Sequence, residues 1–147
     1  MRRMQREPHK VRRPGAWIAA LVLGVGVAMI ADASGAARLE GATWLAEDIK
    51  GAGVIDNAQS TVSIAAGGKV TGSGGCNRLF GMATIAGDAL TFGGIGTTRM
   101  ACAPALMDQE QKFLGALAAT RTFRFDGPYL SFYDAGGAEL VRFTELK

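Results

Sequence analysis

Histidine is nearly missing from this chain. His9 is the only one among 147 residues, and it lies close to the N-terminus. If the segment around it is removed, no imidazole remains. A Ser-His-Asp or Cys-His site cannot then be built, and the commonest zinc ligand and commonest general base at neutral pH are gone. Carboxylate or lysine chemistry stays open, but no paired carboxylates stand on a motif that would position them. Cysteine is almost as scarce. Cys76 and Cys102 are the only two, and they do not form the C-x-x-C pair of a redox motif. No cysteine directly follows the long apolar run, which excludes a bacterial lipoprotein anchor. Neither a P-loop nor a dinucleotide fingerprint is present. No pattern implies a cofactor or a metal, and none marks the chain as an enzyme.

The first 33 residues have a composition of their own. Arg2, Arg3, Arg6, Lys10, Arg12 and Arg13 form a basic head, and the uncharged run from Gly15 to Ala31 follows. Ala31-Asp32-Ala33 then puts small residues, Ala31 and Ala33, at the two positions that a signal peptidase reads. Residues 1–33 are therefore expected to be a cleaved secretory signal, residues 34–38 a linker and residues 39–147 the folded domain. The alternative is a retained anchor over about 16–31, although that run is short of the roughly 20 residues of a spanning helix. The arginine pairs lack twin-arginine context, so the general secretion route is expected. The destination is periplasmic or secreted, or the inner membrane with the domain facing the periplasm.

Removing the segment reverses the charge. Six of the sixteen basic residues and two of the thirteen acidic ones precede Ser34, which leaves ten against eleven. No lysine or arginine cluster remains to neutralise a run of phosphates, so nucleic-acid binding loses its electrostatic basis.

The rest reads as short strands punctuated by glycine turns. Gly67-Gly68, Gly87-Asp88, Asp126-Gly127-Pro128 and Asp134-Ala135-Gly136-Gly137 each separate two runs of alternating character. Val62/Ile64, Phe123/Phe125, Leu130/Phe132 and Val141/Phe143 recur with period two, which places each pair on one face of a strand. Thr43 to Ala46 is a first strand with Trp44 as a core anchor. Pro104 to Thr120 breaks the period: Leu106, Phe113, Leu114 and Leu117 fall on one helical stripe with Met107 beside it. Pro104 suits the first helical turn, and Asp108 and Glu110 are placed near the positive helix end. The expected fold is mainly β (α+β). It is a curved antiparallel sheet, or a small barrel-like one of lipocalin-like topology, with one packed amphipathic helix.

Two blocks stand out: Gly72-Ser73-Gly74-Gly75-Cys76-Asn77-Arg78 and Thr97-Thr98-Arg99-Met100-Ala101-Cys102. Together with Trp44-Leu45, Leu90-Thr91-Phe92, Glu110, Phe113 to Leu117 and the closing run Leu130 to Phe143, they resemble the META domain, the HslJ-like heat-shock family. The resemblance covers nearly all of the chain after the N-terminal segment. It implies a small, strongly curved antiparallel β structure with a packed helix, and an association with heat shock and envelope tolerance. One departure is Met82-Ala83, where the family often carries an aromatic residue.

Export would put Cys76 and Cys102 in an oxidising compartment, where two thiols are expected to join. Two buried free thiols are the alternative. Gly74, Gly75, Asn77, Arg78, Thr98 and Arg99 are read as structural motif residues. Asn77 would tolerate left-handed backbone and bond its own turn. The glycines would form a bulge or strand end, with an anion-binding nest of N–H groups as the lesser reading. An ion pair between Arg78 or Arg99 and Glu110 is expected over convergence of the two arginines on an acidic ligand. The function expected is a non-enzymatic, stress-related module binding an unknown envelope protein or component, and the chain is expected to be monomeric. The alternative is a small-ligand binder whose cavity is lined by Trp44, Phe92 and Phe125.

Overall fold

The structure, a computed structural model, describes residues 33–147. The basic head, the apolar run proposed as signal or anchor, and Ala31 of the cleavage site lie outside the described residues. Ala33, the other cleavage position, opens a short helix, α1 (Ala33–Leu39). Residues 34–38, expected as a linker, thus lie within a helix. The physical reason is at its end: Leu39 is fully buried, and its carbonyl accepts a hydrogen bond from Trp44 Nε1 at 3.1 Å. Arg38 stacks over the Phe125 ring at 4.1 Å and donates to the Gly127 carbonyl.

Nine strands follow the glycine punctuation: β1 (Thr43–Ile49), β2 (Ala52–Gly53), β3 (Thr61–Ile64), β4 (Lys69–Ser73), β5 (Arg78–Ala86) and β6 (Ala89–Thr97) precede helix α2 (Pro104–Ala119); β7 (Thr122–Asp126), β8 (Tyr129–Tyr133) and β9 (Glu139–Leu146) follow it. Every pairing between these strands is antiparallel. From β3 to β9, neighbours in sequence are neighbours in the sheet, and short turns join them everywhere except between β6 and β7. β1 pairs with β3 on one side and with β9 on the other, from Thr43↔Leu146 to Ile49↔Val141, so the sheet curls into a ring. β2 is a two-residue extension on β1. The seam is thin between β6 and β7, which share the single register pair Ala89↔Thr122. The connection between them is where α2 is inserted, and α2 packs against β6, β9 and β1.

The period-two residues meet inside the ring. Val62, Ile64, Leu130, Phe132, Val141 and Phe143 are fully buried with Trp44 and with Phe113 and Leu117 of α2. Phe92 packs on Phe132, Phe132 on Phe143 and Phe143 on Phe113, with ring centroids 4.7–6.2 Å apart. Trp44 packs on Phe125 at 5.6 Å. These tilted and edge-on contacts are favoured aromatic geometries.

Helix α2 differs from its sequence reading in two ways. Its first turn contains no acidic residue; Asp108 and Glu110 stand in the second, where the end dipole has little hold. Its buried face is Gln109, Glu110, Phe113, Ala116 and Leu117, so two polar residues occupy the apolar stripe while Leu106, Met107 and Leu114 are only half-buried.

Candidate functional site

The two motif blocks converge where the β4–β5 turn meets the segment that leads into α2. Cys76 and Cys102 form a disulfide with Cα atoms 6.1 Å apart, within the usual disulfide range. Asn77 sits beside it, 2% exposed. Its Oδ1 accepts from the Met100 amide at 2.7 Å and from Thr98 Oγ1 at 3.0 Å. Its Nδ2 donates to Glu110 Oε1 at 2.8 Å and to the Met100 carbonyl at 3.3 Å. Both acceptor sites and both donors of the amide are thereby used. Asn77 is not among the residues with left-handed backbone, so the expected self-bonded turn is not formed. Gly75, at φ 118°, supplies the left-handed step. Asn77 instead ties three segments together across the fold.

The amides that hold an anion here are those of Cys76 and Asn77 rather than of the glycines, and the anion belongs to the chain itself. Glu110 Oε2 accepts from the Asn77 amide at 2.6 Å and from the Cys76 amide at 3.2 Å. Gly74 makes this approach possible: a Cβ there would lie 2.5 Å from Glu110 Cγ and 2.6 Å from Oε2. The neighbouring Gln109 joins the same turn to the loop before β3. It donates to the Ala58 carbonyl and to Ser60 Oγ, and accepts from the Ile55 amide. Ser60 in turn donates to the Gly74 carbonyl. A buried carboxylate and a buried amide are tolerated because their polar atoms are satisfied. Among the described residues no buried side-chain nitrogen or oxygen is left without a partner.

The expected arginine–Glu110 ion pair is absent. Arg78 and Arg99 are exposed, and the ion pairs of the described residues are Lys112–Asp108 and Arg142–Glu139. Glu110 faces inward, where amide donors balance its charge without the cost of burying two guanidinium groups. Thr98 lies where the motif reading put it, accepting from the Arg78 amide as well as donating to Asn77. Sequence reasoning missed Gln109 and Ser60. The signal for Gln109 was available: residues 109 and 110 lie on the same helical stripe as Leu106, Phe113 and Leu117, so a polar pair there had to be buried and partnered.

Surface clefts flank this junction. One of about 350 Å³ is lined by Thr97, Arg99, Met100, Met107 and Gln111. Another of about 160 Å³ lies between β2 and α2, lined by Ile49, Ala52, Ile55, Ala105 and Lys112. Phe125 borders a third, with Gly35 and Asp88. Neither Trp44 nor Phe92 lines any of these. Among the described residues no group of three His, Cys, Asp or Glu side chains is placed to hold a metal ion, and no helix is long and apolar enough to cross a membrane.

Fold and junction define a class: an antiparallel ring with a helix in one connection, stapled by one disulfide beside a fully bonded asparagine. The META domain model matches residues 37–147, and the chain belongs to the META domain family. Comparison with curated proteins finds no match. Among solved structures, one determined by NMR is 24% identical, covering 74% of this chain and 92% of its own, with a TM-score of 0.60. A protein from Burkholderia xenovorans, also determined by NMR, is 19% identical over 97% of this chain and 98% of its own, again with a TM-score of 0.60. A DUF4847 family protein from Bacteroides vulgatus is 16% identical over 72% of this chain and 93% of its own, with a TM-score of 0.55. At these identities the likeness is one of fold.

Proposed function

We propose that the chain is an exported, non-enzymatic META-domain module of the cell envelope. It binds a protein or another envelope component, in a stress-related role. The observation that carries this reading is the division between inside and outside. The interior aromatic rings pack on one another, and the polar groups at the disulfide bond one another. Phe80, Met82 and Met100, by contrast, are each more than half exposed. Large apolar groups held in water on a rigid sheet are a common mark of recognition surfaces. The disulfide and the signal-like N-terminus both fit an oxidising compartment. A ligand-binding interior lacks comparable support, because Trp44 is fully buried and packed on Phe125.

The test is crosslinking and pull-down of the protein from envelope extract. Phe80→Ser/Met82→Ser is compared with Cys76→Ser/Cys102→Ser and with the unaltered chain. Loss of one defined partner with the first pair of substitutions is the expected result. Capture that is indifferent to Phe80 and Met82 would refute binding through this surface, and turnover of any substrate by purified protein would refute the non-enzymatic assignment.

A further inference from the structure

We infer that the outward face of β4, β5 and β6 docks on an anionic phospholipid surface. This deepens the binding reading above and rests on it for the choice of face.

β5 alternates strictly at its start: Leu79 and Ala83 are buried, while Arg78, Phe80, Met82 and Thr84 point outward and are exposed. Pairing extends that face to both sides. Lys69 of β4 stands opposite Met82, and Thr71 opposite Phe80. On β6, Gly96 is opposite Phe80 and Gly93 opposite Met82. The Phe80 ring occupies the space that a side chain at position 96 would need, since a Cβ there would fall 2.6 Å from Phe80 Cε2. The glycines thus let the ring lie over the sheet, yet Phe80 remains 52% exposed, Met82 53% and Met100 58%.

Asp88 apart, the charges of this stretch have one sign, with Lys69 on β4, Arg78 on β5 and Arg99 two residues beyond the end of β6. Lys69, Arg78 and Arg99 are exposed, and none of the three has an ion-pair partner among the described residues. From Lys69 to Arg99 the only acidic residue is Asp88, in the turn at the far end of the β5–β6 hairpin from Arg78. The other exposed large apolar residues have acidic neighbours: Ile55 precedes Asp56, Leu146 follows Glu145, and Tyr129 is the register partner of Asp126. Phe80 and Met82 have no acidic register partner or sequence neighbour, and Met100 follows Arg99 at a cleft whose one carboxylate, Glu110, is buried and bonded to amides.

That combination has a definite complement. Cations attract lipid phosphates, while a phenyl ring and unbranched thioethers enter the boundary between headgroups and acyl chains. The outer side of a closed ring is convex, so these side chains protrude towards a broad surface. A peptide ligand would be better held by a groove. An acidic protein surface shares the charge complement but has no need of three separate protruding apolar groups.

Met82 and Met100 serve as built-in reporters. The full-length, disulfide-bonded protein is oxidised with dilute peroxide, and the rate at each methionine is read by mass spectrometry. The measurement is made alone, with phosphatidylcholine vesicles, with vesicles of equal parts phosphatidylcholine and phosphatidylglycerol, and with polyglutamate. Because the readout is local, binding through the N-terminal segment does not imitate it. Oxidation of both methionines is expected to slow several-fold with the mixed vesicles only, and salt should reverse the effect. Each of Lys69→Gln, Arg78→Gln and Arg99→Gln should weaken docking of this face, read as the lipid-dependent protection of the two methionines, about five-fold, with an unchanged thermal melt because none of these side chains is bonded within the fold. Equal protection by neutral vesicles, no protection on vesicles that carry the chain, or full protection of the triple variant would each overturn the proposal. Protection by polyglutamate and not by vesicles would overturn it in favour of an acidic protein partner, leaving the broader binding reading intact.

Discussion

Asn77 and Glu110 show how much of this fold turns on single side chains. Glu110 is 3% exposed and accepts three N–H donors. Its removal leaves the Asn77 backbone amide and one N–H of the Asn77 side chain buried without acceptors, and the half-buried Cys76 amide without its partner. Because orphaning a buried donor costs about 1–3 kcal/mol, Glu110→Ala should destabilise by at least that much in urea unfolding. Gly74→Ala reaches the same group by another route, pressing a methyl into the carboxylate, with an expected loss of about 1–3 kcal/mol. Asn77 offers a sharper comparison. Asn77→Asp is nearly isosteric, but it turns the donor facing Glu110 Oε1 at 2.8 Å into a second acceptor. Asn77→Asp should therefore be less stable than Asn77→Ala at neutral pH, although it changes the shape far less. If the aspartate variant is the more stable of the two, the amide's direction has been misread. The sequence singled out Asn77 and Glu110 but mispaired both. It offered Glu110 an arginine, because residue spacing says nothing about which groups lie inside. Burial decides that, and a buried carboxylate among free amides needs no cation.

At the level of elements, the two motif blocks hold α2 against the sheet through covalent and polar contacts that can be separated by experiment. The disulfide should contribute on the order of 3–4 kcal/mol in the chain-entropy model. Cys76→Ala/Cys102→Ala should thus lower the melting temperature while the Asn77 and Glu110 bonds still form on folding; an unchanged melt would remove the staple from the account. Gln109 acts on a different element. It fastens the loop before β3 through Ile55, Ala58 and Ser60. Gln109→Ala should speed hydrogen exchange of the Ile55 amide several-fold and leave the Asn77 amide protected. Equal loosening of both would mean that the two polar side chains form one cooperative unit. Strand positions were legible because Val62/Ile64, Leu130/Phe132 and Val141/Phe143 alternate and glycines mark the turns. The helix was legible from Phe113 and Leu117. The helical stripe also placed Gln109 and Glu110 on its buried face; what it could not supply was their partners, which come from the β4–β5 turn and the loop before β3. The short helix α1 was hidden for a related reason: Ala, Ser and Gly read as linker, and only Leu39 reveals that the segment is anchored.

On the scale of the whole molecule, ring closure distributes stability unevenly. Antiparallel pairing alone could have given an open sheet; the six register pairs between β1 and β9 make it a ring. That step was only half visible in the sequence, since pairing of the first strand with the last depends on curvature rather than on any local pattern. The opposite side is weaker. β6 and β7 share one register pair, supported by the Leu90 amide on the Arg121 carbonyl and the Phe123 amide on the Asp88 carbonyl. Opening there breaks few backbone bonds and moves α2, which sits in the same connection. The β1–β9 side would have to lose its whole ladder together with the buried contacts of Trp44 and Phe143. Local opening follows the number of bonds and buried contacts broken. Native-state hydrogen exchange should therefore find the Leu90 and Phe123 amides exchanging through sub-global opening, well below the global free energy, while the bonded amides of the β1–β9 ladder exchange only on complete unfolding. A Phe113→Ala variant should lower both free energies together by about 3–5 kcal/mol and leave the gap between them unchanged, because the Phe113 contact with Phe143 is lost in the α2-detached state as well as in the unfolded one. If Leu90 and Phe123 are protected to the same level as that ladder, the ring opens as a single unit and the thin seam is no hinge.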